Sequence, residues 1–105
     1  MTDWTRVADE GDVTEGEPFP TEIDGVEIAL YRMEGDILAM GDICTHEHVR
    51  LSTGWFEDGR IECPLHQSCF EVRTGKCVPG GPAWQDVPVY AVKIKDGEIY
   101  VKASS

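Results

Sequence analysis

The chain has 105 residues, with nine Lys plus Arg against twenty Asp plus Glu and a formal net charge of −11. That length fits one domain with a small core, and that charge disfavours binding nucleic acid or an anionic membrane through a basic face. No stretch approaches the roughly 20 apolar residues of a membrane span, and the N-terminal MTDWTRVADEGD lacks the basic-then-apolar pattern of a secretory signal.

The expected compartment is therefore the cytoplasm, where structural disulfides are rare. Four cysteines there point to metal or redox chemistry before they point to covalent staples. The acidity suits a soluble protein whose partner presents a positive patch, or serves general solubility; a monomer is expected.

In chain order, TRVA (5–8) reads as an edge strand and DEGDVTEGEPFP (9–20) as a loop or single turn. Asp24-Gly25 is a turn dipeptide, and VEIALYRM (26–33) after it reads as a strand. EGD then turns the chain back into ILAM (37–40). CTHEH (44–48) follows. GWFEDGRIEC places Asp58-Gly59 between two short strands, a hairpin signal, and leads into CPLH (63–66). SCFEVRTGKCV repeats the arrangement about Thr74-Gly75. VPGGPAWQDVP (78–88) is a loop, because its prolines break a ladder and its glycines permit sharp bends. VYAVKI and EIYVKA close the chain as a hairpin about Asp96-Gly97. Short strands at this spacing, with no helical stripe, predict an all-β sandwich or small barrel.

Two of these segments carry chemistry. Cys44-Thr-His46 is followed after sixteen residues by Cys63-Pro-Leu-His66. Each pair leaves a predicted strand, so two loops could converge on one centre. Two thiolates and two imidazoles suit tetrahedral zinc or an iron–sulfur cluster. In zinc fingers the cysteines pair first and the histidines follow, whereas here each segment supplies one of each. By spacing alone His48 competes with His46 as the ligand after Cys44.

C-x-H, sixteen residues, then C-x-x-H resembles the Rieske motif. With Gly75, the proline loop 79–82 and the terminal DGEIYV, the chain resembles the small Rieske-type ferredoxins of bacterial aromatic-ring dioxygenase systems. The resemblance implies a single Rieske domain over 1–105: an antiparallel sandwich or barrel base carrying a cluster-binding subdomain, about 43–82. It implies one [2Fe–2S] cluster, with Cys44 and Cys63 on the inner iron and His46 and His66 on the outer, exposed one. His48 has no counterpart among the family's ligands and is expected on the loop surface.

The resemblance also has departures. Respiratory Rieske proteins carry a disulfide between the two cluster loops, and here the matching positions are Val49 and Leu65. They also place a serine and a tyrosine against the sulfurs. The serine is present as Ser68, but the tyrosine position is Phe70. A lower potential within the Rieske range of roughly −150 to +300 mV is therefore expected. A two-residue turn at Thr74-Gly75 would set Cys69 roughly 10 Å along the strand from Cys77, so both are expected as thiols.

After ligation only His48 remains, too few histidines for the facial triad of an oxygenase. No G-x-G-x-x-G follows a strand to bind a nucleotide. The implied role is that of a one-electron carrier, not an enzyme, between an NAD(P)H-dependent flavin reductase and a terminal aromatic-ring dioxygenase. The alternatives are the ferredoxin of an arene monooxygenase, a Rieske subunit of another oxidoreductase, and a zinc-stapled interaction module. Asp42, Glu47 and Glu62 flank the ligand pairs in sequence and are expected to form a negative rim for docking.

Overall fold

Four tight hairpins organise the chain in the computed structural model, which describes residues 4–44, 49–64, 68–79 and 85–102. Asp24, Glu34, Asp58 and Asp96 each take positive φ ahead of a positive-φ glycine. This two-residue turn has a twist that matches the flanking strands. The turns join β2 (Phe19–Ile23) to β3 (Val26–Met33), β3 to β4 (Asp36–Gly41), β5 (Trp55–Glu57) to β6 (Arg60–Glu62), and β8 (Val89–Lys95) to β9 (Glu98–Lys102). The other strands are β1 (Trp4–Asp9) and β7 (Cys69–Glu71), and the fold is all-β.

Six strands form the base in the order β1-β9-β8-β4-β3-β2, antiparallel throughout. The edge strands β1 and β2 also touch, so the sheet nearly closes into a barrel. A second sheet, β5-β6-β7, is the smaller subdomain. β2 begins within the last two residues of the segment 9–20 expected to be a loop or single turn. Pro20 hides the strand, and the edge position explains why a residue with no N–H to donate is tolerated there.

Residues 28–31 of β3 are all fully buried, because the strand is covered on both faces. Ile28 and Leu30 point into the barrel core with Ile37, Ala39, Ile99 and Val101. Ala29 and Tyr31 point the other way, with Met40, into a second core shared with Ile61, Phe70, Cys44 and Cys63. The Tyr31 ring meets Phe56 edge-on, with centroids 5.0 Å apart, and so joins β3 to the small sheet. Full burial of a side chain such as Phe70 contributes about 1.5–3 kcal/mol.

The hairpin expected about Thr74-Gly75 is wider than two residues. The Glu71 N–H donates to the Lys76 carbonyl at 2.9 Å, and Phe70, not Val72, faces Cys77. Residues 72–75 form the loop, closed by the Gly75 N–H on the Glu71 carbonyl at 2.6 Å. Gly75 has φ +76°, and a Cβ there would lie 1.9 Å from the Val87 carbonyl oxygen. The close approach is used: the Val87 N–H donates to the Gly75 carbonyl at 2.7 Å, and the Gly41 N–H donates to the Pro88 carbonyl at 2.8 Å. Segment 85–88 is thus pinned between the subdomain and the base.

Gly75→Ala is expected to cost about 1–3 kcal/mol from backbone strain alone, before the clash with Val87. At roughly 4–8 °C per kcal/mol for a domain of this size, thermal unfolding should show a clear loss. An unchanged melting temperature would mean that segment 85–88 moves away freely.

Candidate metal centre

The two cysteine-containing loops are closed in the same way. The Cys44 N–H donates to the Val49 carbonyl at 2.9 Å, and the Cys63 N–H donates to the Ser68 carbonyl at 2.7 Å. Each bond spans five residues. Outside the first lies the Ile43–Arg50 bridge, and outside the second the Glu62–Cys69 ladder pair. Both loops therefore leave from ordered β pairing, each with its cysteine at the base. Cys44 and Cys63 are 3% and 0% exposed and belong to one core. Their intended companions His46 and His66, with His48, Glu47 and Leu65, lie outside the described residues, as do 80–82 of the third loop.

The first loop is anchored by a group that sequence reasoning placed elsewhere. Asp42 is 1% exposed and so does not belong to a negative rim. Its carboxylate accepts from the Ser52 N–H and the Ser52 hydroxyl, each at 2.7 Å. Its carbonyl accepts from the Leu51 N–H at 2.6 Å, and its own N–H donates to the Glu27 carbonyl at 2.9 Å. Burial pushes the Asp42 carboxyl up from its ordinary range, the bonds from Ser52 pull it back, and Glu27 and Arg50 act in opposite directions. Nearby, the Tyr31 hydroxyl is buried with no hydrogen-bond partner among the described residues. Burial first, and the Asp42 charge second, hold Tyr31 far above the usual phenol range, so it stays protonated.

Ser68 and Phe70 are both fully buried beside the second cysteine, and no hydroxyl stands at position 70. Cys69 and Cys77 are not joined in a disulfide, for a different reason from the one expected. Cys77 faces Phe70, so it shares the inner face of the small sheet, while Cys69 shares the outer face with Glu62. The two thiols point to opposite sides. Burial and then the Glu62 charge raise the Cys69 thiol above its ordinary value, so it stays protonated near neutrality.

Two buried sulfurs without a disulfide, at the bases of matched loops that each carry a histidine two or three residues on, fit a centre ligated by thiolate and imidazole. Among the described residues no group of three or more His, Cys, Asp or Glu comes together as a rival site. One cysteine and one histidine in each of two β-loops is the order expected of a mixed-ligand iron–sulfur protein, whereas in zinc fingers the cysteines pair first and the histidines follow.

Residues 3–91 match the Rieske [2Fe-2S] domain family, and the chain belongs to that family. It carries one [2Fe–2S] cluster. The chain is 41% identical over 99 residues to the ferredoxin component of the naphthalene 1,2-dioxygenase/salicylate 5-hydroxylase systems of Ralstonia sp., covering 94% of each chain. Among solved structures it resembles the ferredoxin of carbazole 1,9a-dioxygenase from Nocardioides aromaticivorans IC177. That match has a TM-score of 0.91 and 31% identity, and covers 98% of this chain and 100% of that one. It also matches a chain in the complex of reduced oxygenase and oxidized ferredoxin in carbazole 1,9a-dioxygenase, with TM-score 0.87, 31% identity and coverage of 97% and 94%.

Asp42→Ala should lose both bonds to Ser52 and leave its N–H and hydroxyl seeking partners, at a cost of about 2–4 kcal/mol. Ser52→Ala, which removes only the hydroxyl bond, should cost about 1 kcal/mol. Thermal unfolding followed through the visible absorbance of the cluster measures both. Equal costs would mean that the Ser52 N–H contributes nothing.

Proposed function

We propose that this chain is the ferredoxin of an aromatic-ring dioxygenase system, carrying single electrons from a separate NAD(P)H-dependent flavin reductase to a terminal oxygenase. The observation that carries the reading is mutual coverage: 94% of this chain aligns with 94% of a ferredoxin component, at 41% identity. Against oxygenase chains of the same fold it covers only about a third or less of their length. It acts as an electron-transfer component and not as an enzyme.

In this reading residues 1–105 form one Rieske domain, with the cluster-binding subdomain at about 43–82. Cys44 and Cys63, from the apolar core, would hold one iron, the inner one by family resemblance. His46 and His66 would hold the other, on the side a partner approaches. The cluster supplies a one-electron couple at modest potential. The chain's own residues keep water from the cysteine side: Leu51, Ile61 and Phe70 share one buried core with Cys44 and Cys63, and the loop-closing bonds fix the base of each loop. Among the described residues no helix is long and apolar enough to cross a membrane. We place the protein in the cytoplasm as a monomer. Service to an arene monooxygenase is the second reading, favoured by the Ralstonia relative, the ferredoxin component of both a dioxygenase and a hydroxylase system.

Two measurements test the site. His46→Ala should lose or alter the cluster, seen as lost iron and sulfide and a changed electron paramagnetic resonance spectrum. His48→Ala should keep both. The reverse outcome would transfer the ligand role to His48. Phe70→Tyr should raise the midpoint potential by roughly 20–60 mV, the equivalent of one net hydrogen bond of about 0.5–1.5 kcal/mol in a one-electron couple. Voltammetry reads this directly, and no rise would mean that the ring edge at position 70 does not reach a sulfur.

A further inference from the structure

The outer face of the small sheet is not explained by packing. Trp55 is 63% exposed, the most exposed large apolar side chain among the described residues. Its place in the ladder gives it neighbours: Trp55 faces Glu62, and Glu62 faces Cys69. In the adjoining row Glu57 faces Arg60, and Arg60 faces Glu71. These six side chains share one face, since Phe56, Ile61 and Phe70 between them turn inward. An open groove of about 630 Å³ runs along it, lined by Trp55, Glu57, Asp58, Arg60, Glu62 and Cys69. The face thus combines one large indole with the carboxylates of Glu57, Asp58, Glu62 and Glu71, against the single guanidinium of Arg60.

An indole left in water on the edge strand of this face, beside a groove lined by carboxylates, is the pattern of an apolar interface anchor next to a polar rim. Charge decides the occupant. A second copy would bring four more carboxylates on a chain of net charge −11, so self-association through this face is repelled. A partner with an apolar recess ringed by Lys or Arg is complementary. The position suits electron transfer, because Glu62 directly precedes Cys63. One strand spacing of about 5 Å and one Cα step of about 3.8 Å, roughly at right angles, put the Trp55 Cα about 6 Å from the base of the second cluster loop.

We propose that this face, with Trp55 as its apolar anchor and Glu57 and Asp58 as its charged rim, docks the terminal oxygenase onto the flank of the second cluster loop. The proposal rests on the electron-carrier reading and names the surface that reading uses. Trp55 is a positioning residue that binds the partner and does not carry the electron.

The test uses the holoprotein with the oxygenase and reductase components of a naphthalene 1,2-dioxygenase system as probes, following oxygenase turnover against ferredoxin concentration. Trp55→Ala should raise the KM for the ferredoxin by about tenfold or more while leaving kcat at saturation, the visible spectrum and the midpoint potential near wild type. Glu57→Gln with Asp58→Asn, the latter suited to the positive-φ turn position, should raise KM at low salt and flatten its salt dependence. An unchanged KM for Trp55→Ala beside an active wild type would overturn the docking face alone. So would a rise seen only in reduction of the ferredoxin by the reductase. A wild-type protein that passes no electrons to the oxygenase would remove the carrier reading, and the docking face with it.

Discussion

Burial of β3 on both faces is the constraint from which the rest of the structure follows. A strand covered on one side alternates apolar and polar residues, but IALY here is apolar at four consecutive positions, and all four are fully buried. One pair of side chains closes the barrel, and the other pair must be covered by something else. The small sheet provides that cover through Phe56, Ile61 and Phe70, and the base of each cysteine loop is carried into the same core. The cluster subdomain is therefore the second half of the hydrophobic core as well as the site of chemistry.

That arrangement limits what charge the site can hold. Ionised thiolates in an apolar core are costly unless compensated. Two ferric ions, two sulfides, two thiolates and two neutral imidazoles sum to zero, so an oxidised mixed-ligand cluster can sit where an all-cysteine cluster would carry two further negative charges. The protein's acidic side chains stay off this core. Among the described residues the one exception is Asp42, each of whose carboxylate oxygens accepts a hydrogen bond from Ser52, a tether for the first loop. Its burial removes it from the expected negative rim; of that rim Glu62 lies on the outer face of the small sheet, where it lines a groove with Glu57 and Asp58 beside Trp55, and Glu47 lies outside the described residues.

Local signals survived intact wherever the physics was local. Asp24-Gly25, Asp58-Gly59 and Asp96-Gly97 form tight turns because only a few residue types accept positive φ at both central positions. The Cys44–His46 and Cys63–His66 spacings could be read at once, since ligand chemistry depends on residue type at short separation. The failures share a cause in long-range pairing. Thr74-Gly75 has the composition of a two-residue turn, yet the Val87 carbonyl takes up the space beside Gly75 and the hairpin opens to four residues. The start of β2 was hidden because the tolerance of Pro20 depends on lying at a sheet edge, which no local pattern reports.

The sequence by itself determined the all-β class, the four tight turns and the residue types of the four proposed ligands, because each of these rests on residue type and spacing within a few residues. Tertiary structure alone decided the rest. It buried Asp42 against Ser52, turned Cys69 and Cys77 to opposite faces, and left Trp55 in solvent on an acidic sheet face. Each of those outcomes depends on which strand lies alongside which and in what register. A shift of one residue in that register exchanges the buried face for the exposed one, and register is set by contacts between residues far apart in the chain.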